Sequence, residues 1–210
     1  MARVEMTDPH IHGLLCDLDG VVRLWPAHLV ATAERTAGLP GGSILQTAFA
    51  ADLLPLAITG RISDEAWRQE VSTRLQHAWP EADASLAVAE WSSSPGEVNQ
   101  PVMALLQRHR VPVALITNAT TRLPQDLSAL GLTGAFEQVI NSSVIGVAKP
   151  DQGIFAAALR ALALPADQVL FIDDDPGHIA AAARLGMAGY LFHGNAQELE
   201  DLLRESGVVR

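Results

Sequence analysis

The sequence predicts an α/β protein: a doubly wound parallel sheet with helices on both faces, and a small α-helical cap inserted after the first strand. Three observations lead there. Short apolar runs that end in polar residues recur at 14–16, 113–116 and 169–172. Helical stretches separate the later runs, and strand–helix–strand alternation builds a parallel sheet through right-handed crossovers. Between the first run and the second, residues 27–90 carry helical signals and almost none for strand. The expected division is a core domain from 1–23 and 93–210, with a helical cap at 24–92.

Each element follows from its residues. Leu14, Leu15 and Cys16 form a short apolar run, consistent with a buried strand, which stops at Asp17, Asp19 and Gly20. Residues 27–37 read as a helix ended by Gly38 and Pro40, and 43–54 as a second. Ser63, followed by Asp64 and Glu65, is an N-cap with acidic residues in the first turn. The helix it opens is expected to run to about 78, before Pro80. Trp67, Val71 and Leu75 recur at four-residue spacing and share one face. Asp83 is expected to cap a last cap-domain helix carrying Leu86, Val88 and Trp91. The Ser-Pro-Gly stretch at 92–96 reads as a linker, matched by Arg23, Leu24, Trp25 and Pro26 on the other side.

From residue 98 the chain alternates. A helix at 98–109 leads to the strand 113–116, which ends in Thr117 and Asn118. A helix at 123–130 stops at Gly131, a strand lies near 138–140, and a loop with Gly146 leads to Lys149 and Pro150. Asp151 caps a helix at 153–162. The strand 169–172 runs into Asp173, Asp174 and Asp175, with Asp175 as the next cap and Pro176 as the first helical residue. A helix through Ala183, a strand at 188–192 and a helix at 196–203 complete the pattern.

Composition narrows the function. At 210 residues, the chain fits one domain or one domain with an inserted subdomain. Its 49% apolar and 18% charged residues are those of a globular protein. A net charge of −10 argues against a nucleic-acid backbone or an anionic membrane surface as partner. It leaves room for a small anionic substrate, because a local cation can reverse the field at one site. The single cysteine, Cys16, rules out an internal disulfide and suits a reducing cytoplasm. It is expected as a small core residue of the first strand. No run approaches the ~18 apolar residues of a membrane span. Residues 1–10 contain Glu5, Asp8 and Pro9, lack the apolar core of a secretory signal, and read as a loose leader.

The polar residues that end the strands carry the chemistry. Asp17 and Asp19, spaced two apart at a strand end, point the same way, and Gly20 then allows a sharp turn. Like charges this close stay ionised together only beside a cation; otherwise one takes up a proton. The pair is therefore a metal site, an acid/base pair or, most simply, the polar turn after a strand. In parallel sheets ligands bind beyond the carboxyl ends of the strands. Asp17 and Asp19, Thr117 and Asn118, and Asp173 and Asp174 lie at three such ends, and Lys149 precedes a helix.

Together these pieces resemble the haloacid dehalogenase-like hydrolase superfamily. The motifs Leu-Leu-Cys-Asp17-Leu-Asp19-Gly-Val, Ala-Leu-Ile-Thr117-Asn118, Lys149-Pro150 and Leu-Phe-Ile-Asp173-Asp174 occur in that family's order, over residues 12 to about 193. The resemblance implies a Rossmann-like core and a cap of the kind inserted between the first two motifs. Only 31 residues lie between Thr117 and Lys149, too few for the family's other cap position. It also implies roles. Asp17 is the nucleophile and Asp19 the general acid/base. Mg²⁺ is held by Asp17, the backbone carbonyl of Asp19 and Asp174, with Asp173 a close second or outer partner. Lys149, Thr117 and the Asn118 backbone or side chain bind the phosphoryl oxygens. The implied activity is hydrolysis of a small phosphorylated metabolite through an aspartyl-phosphate.

The same resemblance supplies the rivals. A dehalogenating branch lacks the second aspartate, which is present here as Asp19. A phosphonate-cleaving branch needs a cap lysine, and Lys149 is the only lysine in the chain. A phosphosugar mutase has the same core and cap and stays open. A phospho-accepting signalling domain orders its motifs differently, and a degenerate binding protein would not need the intact set. His178 stands where relatives often carry Asn, either as a surface or capping residue or near the metal. Trp25 is a candidate for lining the site entrance or for hinge packing, while Trp67, Trp79 and Trp91 are expected in the cap core.

Overall fold

The computed structural model describes residues 11–210; the leader expected at 1–10 lies outside them. The strands and helices in chain order are β1 (Gly13–Cys16), β2 (Arg23–Leu24), α1 (Leu29–Thr36), α2 (Ser43–Ala48), α3 (Leu54–Ile58), α4 (Asp64–Ala78), α5 (Ala84–Trp91), β3 (Glu97–Val98) and α6 (Gln100–Leu106). They continue with β4 (Val113–Thr117), α7 (Leu123–Ala129), β5 (Gln138–Asn141), α8 (Ser142–Ile145), α9 (Gln152–Leu162), β6 (Val169–Asp173), α10 (Pro176–Arg184), β7 (Ala188–Leu191) and α11 (Ala196–Glu205). Five strands form one parallel sheet in the order β5-β4-β1-β6-β7. Strand order reverses about β1, so its carboxyl end sits where such sheets bind ligands.

The sheet is buried on both faces, and the two-residue period of its strands sorts the core. Leu14, Cys16, Leu115, Leu170 and Ile172 face one layer, with Val102 of α6, Leu127 of α7 and Leu203 of α11. Leu15, Ala114, Ile116 and Phe171 face the other, with Phe155 of α9 and Ala182 of α10. Continuous apolar runs are what a doubly covered parallel strand requires. Cys16 is fully buried within β1, as its place in the run predicts.

Helices α1–α5 bury a third cluster of their own. Trp67, Val71 and Leu75 of α4 meet Ala33, Ile44 and Val88 there, so the four-residue spacing does mark one face. Ser63 accepts from the Ala66 amide and Asp83 from the Leu86 amide, the two caps read from the sequence. The helix expected at 43–54 ends at Ala48, and after turns at 49–53 a further helix, α3, starts at Leu54. Pro55 sits in the first turn of α3, where a proline is tolerated. Glu34, unremarked in the sequence, is buried; its carboxylate accepts from the amides of Gly42 and Ile44 and caps α2. Arg23 and Leu24, expected in a connection, form β2, which pairs with β3 just after the linker expected at 92–96, Arg23 opposite Val98 and Leu24 opposite Glu97; the helix expected from 98 starts at Gln100.

Candidate active site at the carboxyl edge of the sheet

Asp17 follows β1, and its amide still donates to Ile172 O of β6 at 2.9 Å, so the sheet holds it rigidly. Thr117 ends β4, and Asp173 ends β6. Lys149 reaches the same point from the loop before α9. Its Nζ donates to Asp17 Oδ1 at 2.6 Å and to Asp173 Oδ2 at 2.7 Å, with all three residues buried. Asn118 anchors that loop: its side-chain amide donates to Lys149 O at 2.8 Å, and its Oδ1 accepts from the Lys149 amide at 2.7 Å. The Asn118 side chain is thus engaged in holding this loop. The second oxygen of Asp173 accepts from the Asp175 amide at 2.8 Å, and His178 Nδ1 lies 3.1 Å from both Asp173 oxygens. His178 therefore faces the acidic cluster and is not a surface residue.

The electrostatics follow from burial and from an imbalance of charge. Burial pushes the Asp17 carboxyl up to about 7, with the Asp173 charge adding and Lys149 opposing. Burial acts to lower the Lys149 ammonium, but the two carboxylates outweigh it and hold it above its ordinary value. For Asp173 burial is overcome by His178, Lys149 and the Asp175 amide, so it lies below the usual carboxylate range. Asp174 is raised, by burial and then by the Asp173 charge.

One oxygen each from Asp17, Asp173 and Asp174 lies within 4.8 Å of the others. Three carboxyl groups facing one ammonium form a donor set that could hold a divalent cation. Gly20 makes the arrangement sterically possible. Its φ is +81°, and a Cβ there would sit 2.0 Å from Asp174 Oδ2. The buried Thr117 Oγ1 has no hydrogen-bond partner among the described residues. A buried hydroxyl without a partner is costly, and at the mouth of this cluster it is a donor free for a ligand oxygen.

Asp19 lies at the rim, held apart from the cluster. Arg23 Nε and Nη2 grip its two oxygens at 2.7 and 2.8 Å, and Trp25 Nε1 donates to Oδ1 at 2.7 Å. Arg23 is itself buried, bonds Asp126 at 3.1 Å and stacks 4.5 Å from the Trp25 ring. Gly96, at φ +88°, leaves room for it: a Cβ there would meet Arg23 Cγ at 2.8 Å. Sequence reasoning passed over Arg23 and Asp126. The i,i+4 spacing from Asp19 offered a faint local signal for Arg23; nothing local signals Asp126, 103 residues further on.

The site lines a cavity of about 650 Å³ that includes Asp17, Asp19, Thr117, Asn118, Lys149, Asp174 and His178. The structure thus brings every residue expected from the sequence to one edge of one sheet. Trp25 stands at the entrance, half exposed, while Trp67 and Trp91 stack edge-to-face at 5.4 Å.

Comparison with known proteins agrees. The chain is 27% identical over 137 residues to the validoxylamine A 7'-phosphate phosphatase of Streptomyces hygroscopicus subsp. limoneus, covering 62% of this chain and 64% of that protein. A HAD-family enzyme from Bacteroides thetaiotaomicron, solved with magnesium and inorganic phosphate, superposes with a TM-score of 0.72 at 20% identity, covering 88% of this chain and 96% of that one. The L-2-haloacid dehalogenase of Xanthobacter autotrophicus superposes with a TM-score of 0.66 at 21% identity, covering 95% and 84%. The structural likenesses carry the fold, and they include both phosphate-binding and dehalogenating proteins. The chain spans 11% to 64% of the length of the curated relatives it matches. No described helix is long and apolar enough to cross a membrane. Residues 11–186 match the haloacid dehalogenase-like hydrolase family, and the chain belongs to that family of hydrolases.

Proposed function

We propose that this hydrolase is a Mg²⁺-dependent phosphatase of a small phosphorylated metabolite, acting through an aspartyl-phosphate on Asp17. Residues 24–92 are, in this reading, the cap over a core of 1–23 and 93–210. The observation that carries it is the meeting of Asp17, Lys149, Asp173 and the unpartnered Thr117 hydroxyl from four distant segments. The cap, the motif order and the phosphatase-named relatives support it.

The residues divide the work. Asp17 attacks phosphorus while the bond to the alcohol oxygen breaks, and Asp19 gives that oxygen its proton. Water then attacks the aspartyl-phosphate and passes its proton to Asp19, returning the enzyme with alcohol and inorganic phosphate released. Lys149, the Thr117 hydroxyl and the Asn118 amide donate to the phosphoryl oxygens. Asp17, Asp174 and the Asp19 carbonyl would hold Mg²⁺, with Asp173 beside them keeping Lys149 and His178 in place. When bound, the ion offsets the repulsion between a carboxylate and a phosphate dianion. Arg23 and Trp25 set the direction of Asp19. The presence of Asp19 favours a leaving group that needs a proton over a halide, which does not.

The test is phosphate release from p-nitrophenyl phosphate and a panel of phosphorylated metabolites, with Mg²⁺ and with chelator, by wild type and Asp17→Asn. Release that needs the ion and vanishes in the variant is expected. Release that survives either change would overturn the assignment.

A further inference from the structure

The reaction centre opens into a second cavity that the chemistry above does not use. It has a volume of about 600 Å³ and lies between the sheet edge and the cap helices. Asp19, Trp25 and Asn118 line both cavities. Asp19 protonates the departing oxygen, so whatever that oxygen carries extends past Asp19 into this chamber. Its far wall is Val30, Leu45, Phe49, Leu54 and Ile58. Trp25, Leu45 and Phe49 are 48%, 37% and 54% exposed, and they converge on this one space. Three large apolar side chains left open to one cavity mark a binding surface.

Most polar side chains of the chamber are already paired; the exception is Arg68 Nε, which lies 2.7 Å from Asp64 but makes no hydrogen bond with the described residues. Arg23 pairs with Asp19 and Asp126, Arg68 with Asp64, and Arg122 with Asp126. Thr120 Oγ1 donates to Asp64, and an Arg122 guanidinium N–H donates to Ser92 O. A polyhydroxylated leaving group would lose water there and find few free partners, which is unfavourable for each hydroxyl buried. A hydrocarbon would lose nothing and cover the open wall. Building on the phosphatase reading, we propose that the chamber takes the hydrocarbon part of a phosphate monoester of a long or bulky apolar alcohol, and that this wall selects it against sugar phosphates.

The test is a series of n-alkyl phosphates from ethyl to octyl, with glycerol phosphate and a hexose phosphate, all with Mg²⁺. Burying a methylene is worth about fourfold, so kcat/KM should rise from ethyl to hexyl phosphate by about two orders of magnitude. Both polar esters should fall near the ethyl value. Phe49 is more than half exposed, and Phe49→Gln should cut the hexyl-to-ethyl ratio about tenfold by making the wall polar. The wild-type series decides the matter even if that variant folds poorly. A flat series, or preference for the hexose phosphate, would overturn the chamber assignment and leave the phosphatase standing. No release from any ester would bring both down together.

Discussion

The two cavities that meet at Asp19 are built on opposite principles. At the sheet edge polar groups are densely wired: Lys149 to two aspartates, Asp173 to His178 and an amide, Asn118 to the Lys149 backbone. The exception there is the Thr117 hydroxyl. Between the sheet edge and helices α1–α5 the charged groups pair among themselves, with Arg68 Nε making no hydrogen bond with the described residues, and the rest of the wall is apolar. The first cavity is charged and gathered at the carboxyl ends of the strands, where the sheet fixes the chain. The second rests on helices and loops outside the sheet, where side chains can change without disturbing the reacting groups. Asp19 belongs to both. It follows β1, but its side chain answers to Arg23 and Trp25 from the chain leading into the cap.

The largest effect should come from breaking the wired side. Asp17→Asn keeps shape and burial but removes the nucleophile, and turnover should fall by about 10⁴-fold or more. Circular dichroism should show the fold intact. Turnover within tenfold of wild type would mean that the cluster does not do the chemistry. Lys149→Met is the next cut. It leaves Asp17 and Asp173 facing each other without their shared cation, so ion-free stability in urea should fall by about 3–5 kcal/mol. An equally stable Lys149→Met would show that the cluster is less dry than its burial indicates.

The contrast also explains what the sequence could reveal. Strands buried on both faces must be apolar throughout, so β1, β4 and β6 announced themselves, and with them the polar residues at their ends. Caps such as Ser63, Asp83, Asp151 and Asp175 are local hydrogen bonds and were equally legible. Glu34 was not, because a buried carboxylate serving amides eight and ten residues away looks in sequence like any surface glutamate. The β2–β3 ribbon joins residues 73 and 75 apart with two residues a side, too short to carry a pattern. Arg23 was hidden for the same reason, since its role depends on Asp126, and the apolar chamber is a property of how five short helices are arranged. Local rules reached the polar residues at the sheet edge; the apolar chamber lay in tertiary packing.

A cut at the junction sharpens the comparison. Arg23→Met keeps the stem that packs under Gly96 but frees Asp19 from its two-pronged grip. If Arg23 serves only to position the acid/base, turnover of alkyl esters should drop about 10- to 100-fold. With p-nitrophenyl phosphate, whose leaving group needs little help from a proton, the drop should be several times smaller. Equal losses on both esters would assign Arg23 to packing instead.

The smallest effect separates the carboxylates of the wired site by pH alone. Asp17 has its folded pKa raised to about 7 by burial, so the ion-free folded state binds a proton that the unfolded chain has already released. Its contribution is therefore present at acid pH, and stability declines as pH rises from the ordinary carboxylate range through about 7. The slope is at most about 1.4 kcal/mol per pH unit. Asp173, held low by His178, Lys149 and the Asp175 amide despite its burial, works the other way and loses its contribution only as pH falls below the ordinary range. Urea midpoints of chelator-treated protein should thus fall between pH 5 and 7 in wild type and fall less in Asp17→Asn, where the raised Asp174 remains. Adding Mg²⁺ should flatten the wild-type curve too, because an ion beside Asp17 favours the carboxylate and lowers its pKa. A wild-type curve that rises over this interval without the ion would mean that Lys149 dominates Asp17 and that the cluster carries no excess negative charge.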